Sequence, residues 1–97
     1  MSNNSQTLVC NAVMDIATVA DLKTQLQEIA SRSGAVVLDG SQVERIDTAA
    51  LQLLASFHRE MTRVGSPPEW QSPSNVLRQS ARLLNLDRHI GLDEATG

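Results

Sequence analysis

The sequence predicts a single α/β domain, with a small mixed β-sheet of about four strands and three or four helices packed on it. Its 97 residues are enough for one core, because separate cores of useful size each need roughly 50 residues or more. Short β-favouring segments alternate with longer segments of helical periodicity. The apolar run from Ala35 to Leu38 is too short for a helix and is typical of a strand covered on both faces.

The first half of the chain is predicted to fold as strand, helix and central strand. Residues 7–14 contain one or two short strands of β-favouring composition. A helix follows Thr18, since apolar residues recur at helical spacing, namely Val19, Leu22, Leu26 and Ile29. Thr18 and Asp21 match the S/T-x-x-D/E signature of a helix start, and Gly34 stands just beyond the end. Residues 39–42 then turn the chain, and Val43 and Ile46 are expected as apolar anchors in a loop.

The second half is predicted to contain two further helices. One runs from about Thr48 to Val64, because an apolar stripe continues to the glycine that follows it. Residues 69–71 are a candidate short strand. The third helix begins at Pro73–Ser74 and runs to about Asn85, with Leu77, Ala81 and Leu84 on its apolar side. Residues 90 and 92 are expected to pack back on the core.

Composition excludes several classes of function. The net charge of −3 results from eleven acidic and eight basic residues spread along the chain, so no basic stripe is available to bind nucleic acid. The two aromatic residues, Phe57 and Trp70, are too few for a base-stacking surface. The single cysteine, Cys10, excludes an internal disulfide and fits a reducing compartment.

The chain is expected to be cytoplasmic, without direct membrane insertion. Residues 1–6 lack the basic start and the apolar run of a signal peptide. The longest apolar run, residues 35–38, is far below the roughly 18 to 20 residues that span a bilayer. We therefore expect one domain over residues 1–97, with flexible ends at residues 1–6 and 93–97.

No pattern in the sequence indicates an enzyme, a metal site or a cofactor site. Asp39 and Asp47 lie eight residues apart with no nearby nucleophile, and turn formation or helix capping explains both. His58 and His89 have no companion ligands at metal-binding spacing. The glycines are scattered at turns and do not form a phosphate-binding loop.

The stretch from Val36 to Leu51 resembles the signature of the STAS family, named for sulfate transporters and anti-sigma factor antagonists. The family pattern is an apolar strand followed by D-x-S-x-V-x-x-I-D-S/T-x-G-L, which opens a helix. Every element is present except the glycine, which is Ala50, and its added Cβ is expected beside the Thr48 position. Gly40 stands where the family usually has an apolar residue, which predicts a looser loop. The segment from Gly65 to Ile90 also resembles the family's last strand and helix.

The resemblance implies a bacterial, non-enzymatic module that binds a protein partner. In anti-sigma factor antagonists of this family, the Ser or Thr after the second Asp is phosphorylated by a partner that is both anti-sigma factor and serine/threonine kinase. By position that residue is Thr48. The hydroxyl of a residue at a helix start is exposed and reachable by a partner, although a helix cap is the plainer interpretation. The implied partner-binding residues are Asp39, Ser41, Asp47, Thr48, Ala49 and Gln52.

Two other roles are open at this point. The D-T-A-x-L form of the motif suits a cytosolic accessory STAS subunit of a phospholipid-transporting ABC system, which binds the ATPase subunit, nearly as well as it suits a partner-switching module. A nucleotide-binding domain is the third alternative, but no phosphate-cradling motif supports it.

Overall fold

The computed structural model describes residues 6–32 and 34–92. The strands are β1 (Gln6–Val9), β2 (Val13–Met14), β3 (Val36–Asp39), β4 (Arg45–Ile46) and β5 (Glu69–Gln71). The helices are α1 (Val19–Ala30), α2 (Thr48–Arg63) and α3 (Asn75–Leu83). The α/β class is therefore confirmed, as is the predicted order of the elements apart from β4.

The strands form two parallel ladders. One has the order β1-β3-β5, so that β3 is central as predicted, and the other pairs β2 with β4. The sequence predicted a mixed sheet, whereas every pairing between described strands is parallel. The reason is that a helix lies between the two members of each pair along the chain, and a helical crossover returns the chain to the same end of the sheet. The strand β4 was predicted as loop.

The core lies between the sheet and one face of each helix. Helix α1 buries Leu22, Leu26 and Ile29, and helix α2 buries Ala50, Leu51, Leu54, Phe57 and Met61. Val43 and Ile46 are buried as predicted, because the loop and β4 turn these side chains inward. No buried polar or charged residue is present in the described part of the chain, so apolar burial is the main stabilising term.

The start of α1 differs from its predicted signature. Thr18 does precede the helix, but its side chain makes no capping hydrogen bond. Its hydroxyl instead donates to the Asp15 carbonyl oxygen and accepts from the Asp15 amide, both at 3.1 Å. The expected capping box is therefore wrong, since the preceding turn occupies the hydroxyl.

The chain after α3 packs back on the core as expected. Ile90 and Leu92 are buried, and the Trp70 indole nitrogen donates a hydrogen bond to the Ile90 carbonyl oxygen at 2.6 Å. The predicted flexible ends lie outside the described residues except for Gln6, which is the first residue of β1 and pairs with Val36. No helix in residues 6–32 or 34–92 has the length and apolar character needed to cross a bilayer.

Candidate functional site

Thr48 is the first residue of α2, as predicted. The preceding residue, Asp47, has extended backbone angles (φ −93°, ψ 165°) and occupies the cap position. The Asp47 amide donates to the Met14 carbonyl oxygen at 2.9 Å, and its carbonyl oxygen accepts from the Leu51 amide at 3.1 Å. The first bond holds the start of α2 against the end of β2, and the second closes the first turn of α2. The cap interpretation of Thr48 is therefore wrong, because Asp47 takes that position.

The Thr48 side chain is exposed, and its hydroxyl makes no hydrogen bond to another described residue. The Asp47 side chain makes no capping hydrogen bond either. The first backbone N–H groups of an α-helix have no acceptor within the helix, so they depend on side chains, water or a ligand. The start of α2 thus combines a reachable hydroxyl with backbone donors that no side chain of the described residues satisfies.

A groove of about 550 Å³ lies beside Thr48, between the start of α2 and the end of α3. We call it the α2–α3 groove; its lining residues are Ile46, Asp47, Thr48, Ala49, Leu51, Ser80, Leu83 and Leu84. Leu83 is 83 % exposed and Leu84 is 44 % exposed. Leu84 was expected on the buried side of the third helix, but α3 ends at Leu83 and Leu84 turns outward. The groove therefore places two exposed leucines across from the hydroxyl.

The sequence did not predict the contribution of α3 to this site. Leu83 and Leu84 are 35 and 36 residues beyond Thr48, and no local pattern links them. The one available signal was a pair of adjacent leucines at a helix end, because neighbouring side chains of a helix project about 100° apart and a narrow apolar stripe does not cover both.

The predicted partner-binding residues fall into two groups. Asp47, Thr48 and Ala49 line the α2–α3 groove, and exposed Gln52 follows Thr48 by one helical turn on the same face. Asp39 and Ser41 do not line the groove. Their role in partner binding stays a prediction.

Asp39 and Ser41 form the turn that follows β3. The Asp39 carboxylate accepts hydrogen bonds from the Ser41 amide at 3.0 Å and from the Ser41 hydroxyl at 2.7 Å. The amide bond, and after it the hydroxyl bond, holds the pKa of Asp39 below its ordinary value of 3.8. A carboxylate engaged in this way stabilises the turn and is not placed to act as a general acid.

The two departures from the family pattern have structural explanations. Ala50 is fully buried, so its Cβ points into the core and lies away from the exposed surface at Thr48. The expectation of a Cβ beside the phosphoacceptor surface is therefore wrong. Gly40 is also buried, and an added Cβ would lie 2.8 Å from Leu77 Cδ2 and 3.1 Å from Trp70 Cζ3. The loop at Gly40 is thus closely packed, contrary to the expected looser loop.

Cys10 offers no reactive thiol. It is buried, and burial, followed by the nearby Asp39 charge, raises its pKa from 9.0 to about 12. The thiolate is the reactive form, so this cysteine is inert at neutral pH. Within the described ranges, no three His, Cys, Asp or Glu side chains are placed to hold a metal ion.

Comparisons with known proteins agree with this geometry. A family model described as "Mlab, STAS domain" matches residues 1–93. Among solved structures, the chain is similar to the NMR structure of the protein TM1081, with 21 % sequence identity and a TM-score of 0.74 over 93 % of this chain and 74 % of that chain. At this identity the similarity shows the fold. The comparison with curated proteins found no match.

Proposed function

This chain belongs to the STAS family, whose domains are in general non-enzymatic protein-interaction modules, and on that premise we propose that it docks a partner protein at the α2–α3 groove under the control of phosphorylation at Thr48. The exposed hydroxyl of Thr48 at the first position of α2 is the observation that carries the proposal. A kinase requires a reachable hydroxyl, and this one is not engaged by any described residue.

Leu83 and Leu84 supply the apolar part of the docking surface. Large exposed apolar side chains that adjoin a polar site are typical of protein interaction surfaces. Burying one leucine side chain stabilises a complex by about 1.5–3 kcal/mol before the costs of association. The polar part consists of the α2 start, where Asp47, Thr48 and Gln52 can pair with donors on the partner.

Phosphorylation would then act on docking and leave the fold in place. A phosphate adds about 1.5–2 negative charges at pH 7, and negative charge at a helix start is favoured by the helix dipole. Helix α2 is therefore expected to persist. The same phosphate would stand across the groove from Leu83 and Leu84, where an apolar partner surface would have to remove its water. Removing that water is costly, and the nearby Asp47 adds repulsion toward an acidic partner.

The partner that we propose is a serine/threonine kinase that is also an anti-sigma factor, so that the chain acts in the manner of an anti-sigma factor antagonist. The unphosphorylated chain would bind this kinase at the α2–α3 groove, and phosphorylation of Thr48 would release it. No bound cofactor is needed for this role.

A second candidate role is that of the accessory subunit of a phospholipid-transporting ABC system, with the ATPase subunit as partner. The 83 % exposure of Leu83 favours this role, because permanent assemblies bury more apolar surface than transient signalling complexes. In this case docking would be constitutive and Thr48 would be an unmodified contact.

The two roles are separated by the partner that is recovered and by the state of Thr48. The tagged chain is purified from its own cells, the bound proteins are identified by mass spectrometry, and Thr48 is analysed for phosphate. Recovery of a serine/threonine kinase, together with phosphate on Thr48, supports partner switching. Recovery of an ABC ATPase with unmodified Thr48 supports the transport role.

A binding series tests the site itself. Thr48→Glu and Leu83→Glu should each weaken binding to the recovered partner at least about tenfold, since each places a charge in the α2–α3 groove. Thr24→Glu on the exposed face of α1 is the matched control and should bind as the unmodified chain does. Equal affinity for all three variants would remove the groove from partner binding.

A further inference from the structure

A second groove lies between the later part of α2 and the turn at residues 86–89. It encloses about 580 Å³, and we call it the basic groove; its lining residues are Ala55, Ser56, His58, Arg59, Thr62, Arg63, Leu86, Arg88 and His89. Five of these nine residues are arginine or histidine, and none is acidic. The chain as a whole has a net charge of −3 with only eight Lys and Arg residues and two histidines. Three of the eight and both histidines therefore meet in one groove of an acidic protein.

Two elements far apart in sequence pack together to form this groove. The turn is anchored by buried Ile90, whose amide donates to the Leu86 carbonyl oxygen at 3.0 Å and whose carbonyl oxygen accepts from the Trp70 indole. The turn also packs directly on α2, because a Cβ added at Gly91 would lie 2.8 Å from His58 Cε1. These contacts hold the backbone of the turn beside α2 and so bring the basic side chains of both elements to one groove.

Helix electrostatics account for only part of this cluster. Arg63 lies in the last turn of α2, where a cation interacts favourably with the helix dipole, and it forms an ion pair with Glu60. The helix dipole does not explain the position of Arg59, which lies one turn earlier in α2. It does not explain Arg88 and His89 either, because they lie on a separate element. Placing positive side chains on both walls favours an anion between them.

We propose that the basic groove binds an acidic segment of a partner protein. The arginines of α2 are one turn apart, about 6 Å along the helix axis, and Arg88 and His89 lie on the opposite wall. Cations spread over this length match a row of carboxylates better than they match one compact ion. Ala55 and Leu86 supply apolar contact for the backbone and stems of such a segment. The groove has no aromatic lining residue for stacking nucleic acid bases.

This surface is separate from the α2–α3 groove. Arg59 is eleven residues after Thr48, which corresponds to about 16 Å along α2. The proposal therefore goes beyond the proposed function and holds whether or not Thr48 is phosphorylated.

The test is an NMR titration of the full chain, labelled with ¹⁵N, with a short synthetic peptide of alternating glutamate and alanine. We expect amide shifts in residues 55–63 and 86–89, and weaker binding as salt is added. Arg59→Glu should raise the Kd about five- to tenfold, and Arg59→Gln should raise it less. Arg78→Glu, an equal charge change at an exposed position of α3, is the matched control and should bind within about twofold of the unmodified chain.

Three results would overturn the proposal. The first is equal loss of binding in Arg59→Glu and Arg78→Glu, which would indicate a response to net charge alone. The second is equal binding of a control peptide with glutamine in place of glutamate. The third is inorganic phosphate that causes the same shifts at equal or lower concentration, which would make the groove a site for small anions.

Discussion

The Ser74 hydroxyl donates a hydrogen bond to the carbonyl oxygen of Val43, 2.7 Å away and 31 residues earlier in the chain. The same side-chain oxygen accepts from the Leu77 amide at 3.1 Å and so caps α3. One residue therefore joins the loop that leads into α2 to the helix that forms the opposite wall of the α2–α3 groove. This link contributes to the relative position of Thr48 and Leu83, together with the bond from the Ser74 amide to the Gly40 carbonyl oxygen.

Replacing Ser74 should destabilise the fold. Ser74→Ala removes the cap of α3 and leaves the Val43 carbonyl oxygen without this donor. We expect the free energy of unfolding to fall by about 1–2 kcal/mol, measured by urea denaturation. Ser56→Ala, at an exposed position of α2, is the control and should change stability by less than about 0.5 kcal/mol. Equal effects of the two substitutions would show that the link to Val43 contributes nothing.

Enlarging Gly40 should cost stability through overpacking. An added Cβ would meet Leu77 Cδ2 at 2.8 Å, Trp70 Cζ3 at 3.1 Å and the Pro73 Cα at 3.3 Å. Gly40→Ala should therefore lower the free energy of unfolding by about 1–3 kcal/mol. The measurement is urea denaturation, followed by an NMR comparison of the amides around Leu77, which should shift.

Gly65→Ala provides the contrast, because the space around Gly65 is open while its φ is +85°. Its cost should be about 1 kcal/mol, from backbone strain alone, with no shifts near Leu77. If Gly40→Ala left the Leu77 environment unchanged, the close packing of the loop would be disproved.

The free energy of unfolding at alkaline pH should depend on the ionisation of the Cys10 thiol. Its folded pKa of about 12 exceeds its ordinary value of 9.0, so the folded state favours the protonated thiol. This contribution to stability is complete below pH 9 and is lost as the pH rises from 9 toward 12. The free energy of unfolding should thus decline between pH 9 and about pH 11. The chain has no tyrosine and one lysine, so few other groups titrate there.

Cys10→Ala should remove most of that decline while leaving the rest of the pH profile unchanged. In addition, the native thiol should react with an alkylating reagent only as fast as the chain opens. Rapid modification of the folded chain at pH 8, at a rate independent of denaturant, would contradict the buried position of this cysteine.

The Asp39 turn predicts an effect at acidic pH. Because the folded pKa of Asp39 is depressed, its contribution to stability is present above pH 3.8 and is lost as the pH falls through the folded value. Ser41→Ala removes the hydroxyl bond and keeps the amide bond, so the pKa of Asp39, followed by NMR, should rise part of the way toward 3.8. An unchanged pKa would mean that the Ser41 hydroxyl does not engage the carboxylate.

More of the fold than of the candidate site could be predicted from the sequence. The start of α2 at Thr48 and the central position of β3 followed from local patterns, namely an apolar stripe and a short β-branched run. Leu84 was wrongly predicted to lie on the buried side of the third helix. An apolar stripe does not show where the last helical turn ends, and beyond that point the side chain can point outward. The two-residue strand β4 was missed because a segment this short has no periodicity to read.

The sequence alone determined the class of the domain, the order of its elements apart from β4, and the exposed place of Thr48 at a helix start. Each of these depends on residues near one another in the chain, through hydrophobic periodicity and helix-end chemistry. Only the tertiary structure decided that Leu83 and Leu84 face Thr48, that Gly40 is closely packed, and that Arg59 and Arg88 line one groove. Those relationships join residues about 30 or more positions apart, and they are set by how the helices pack on the sheet, which no local pattern encodes.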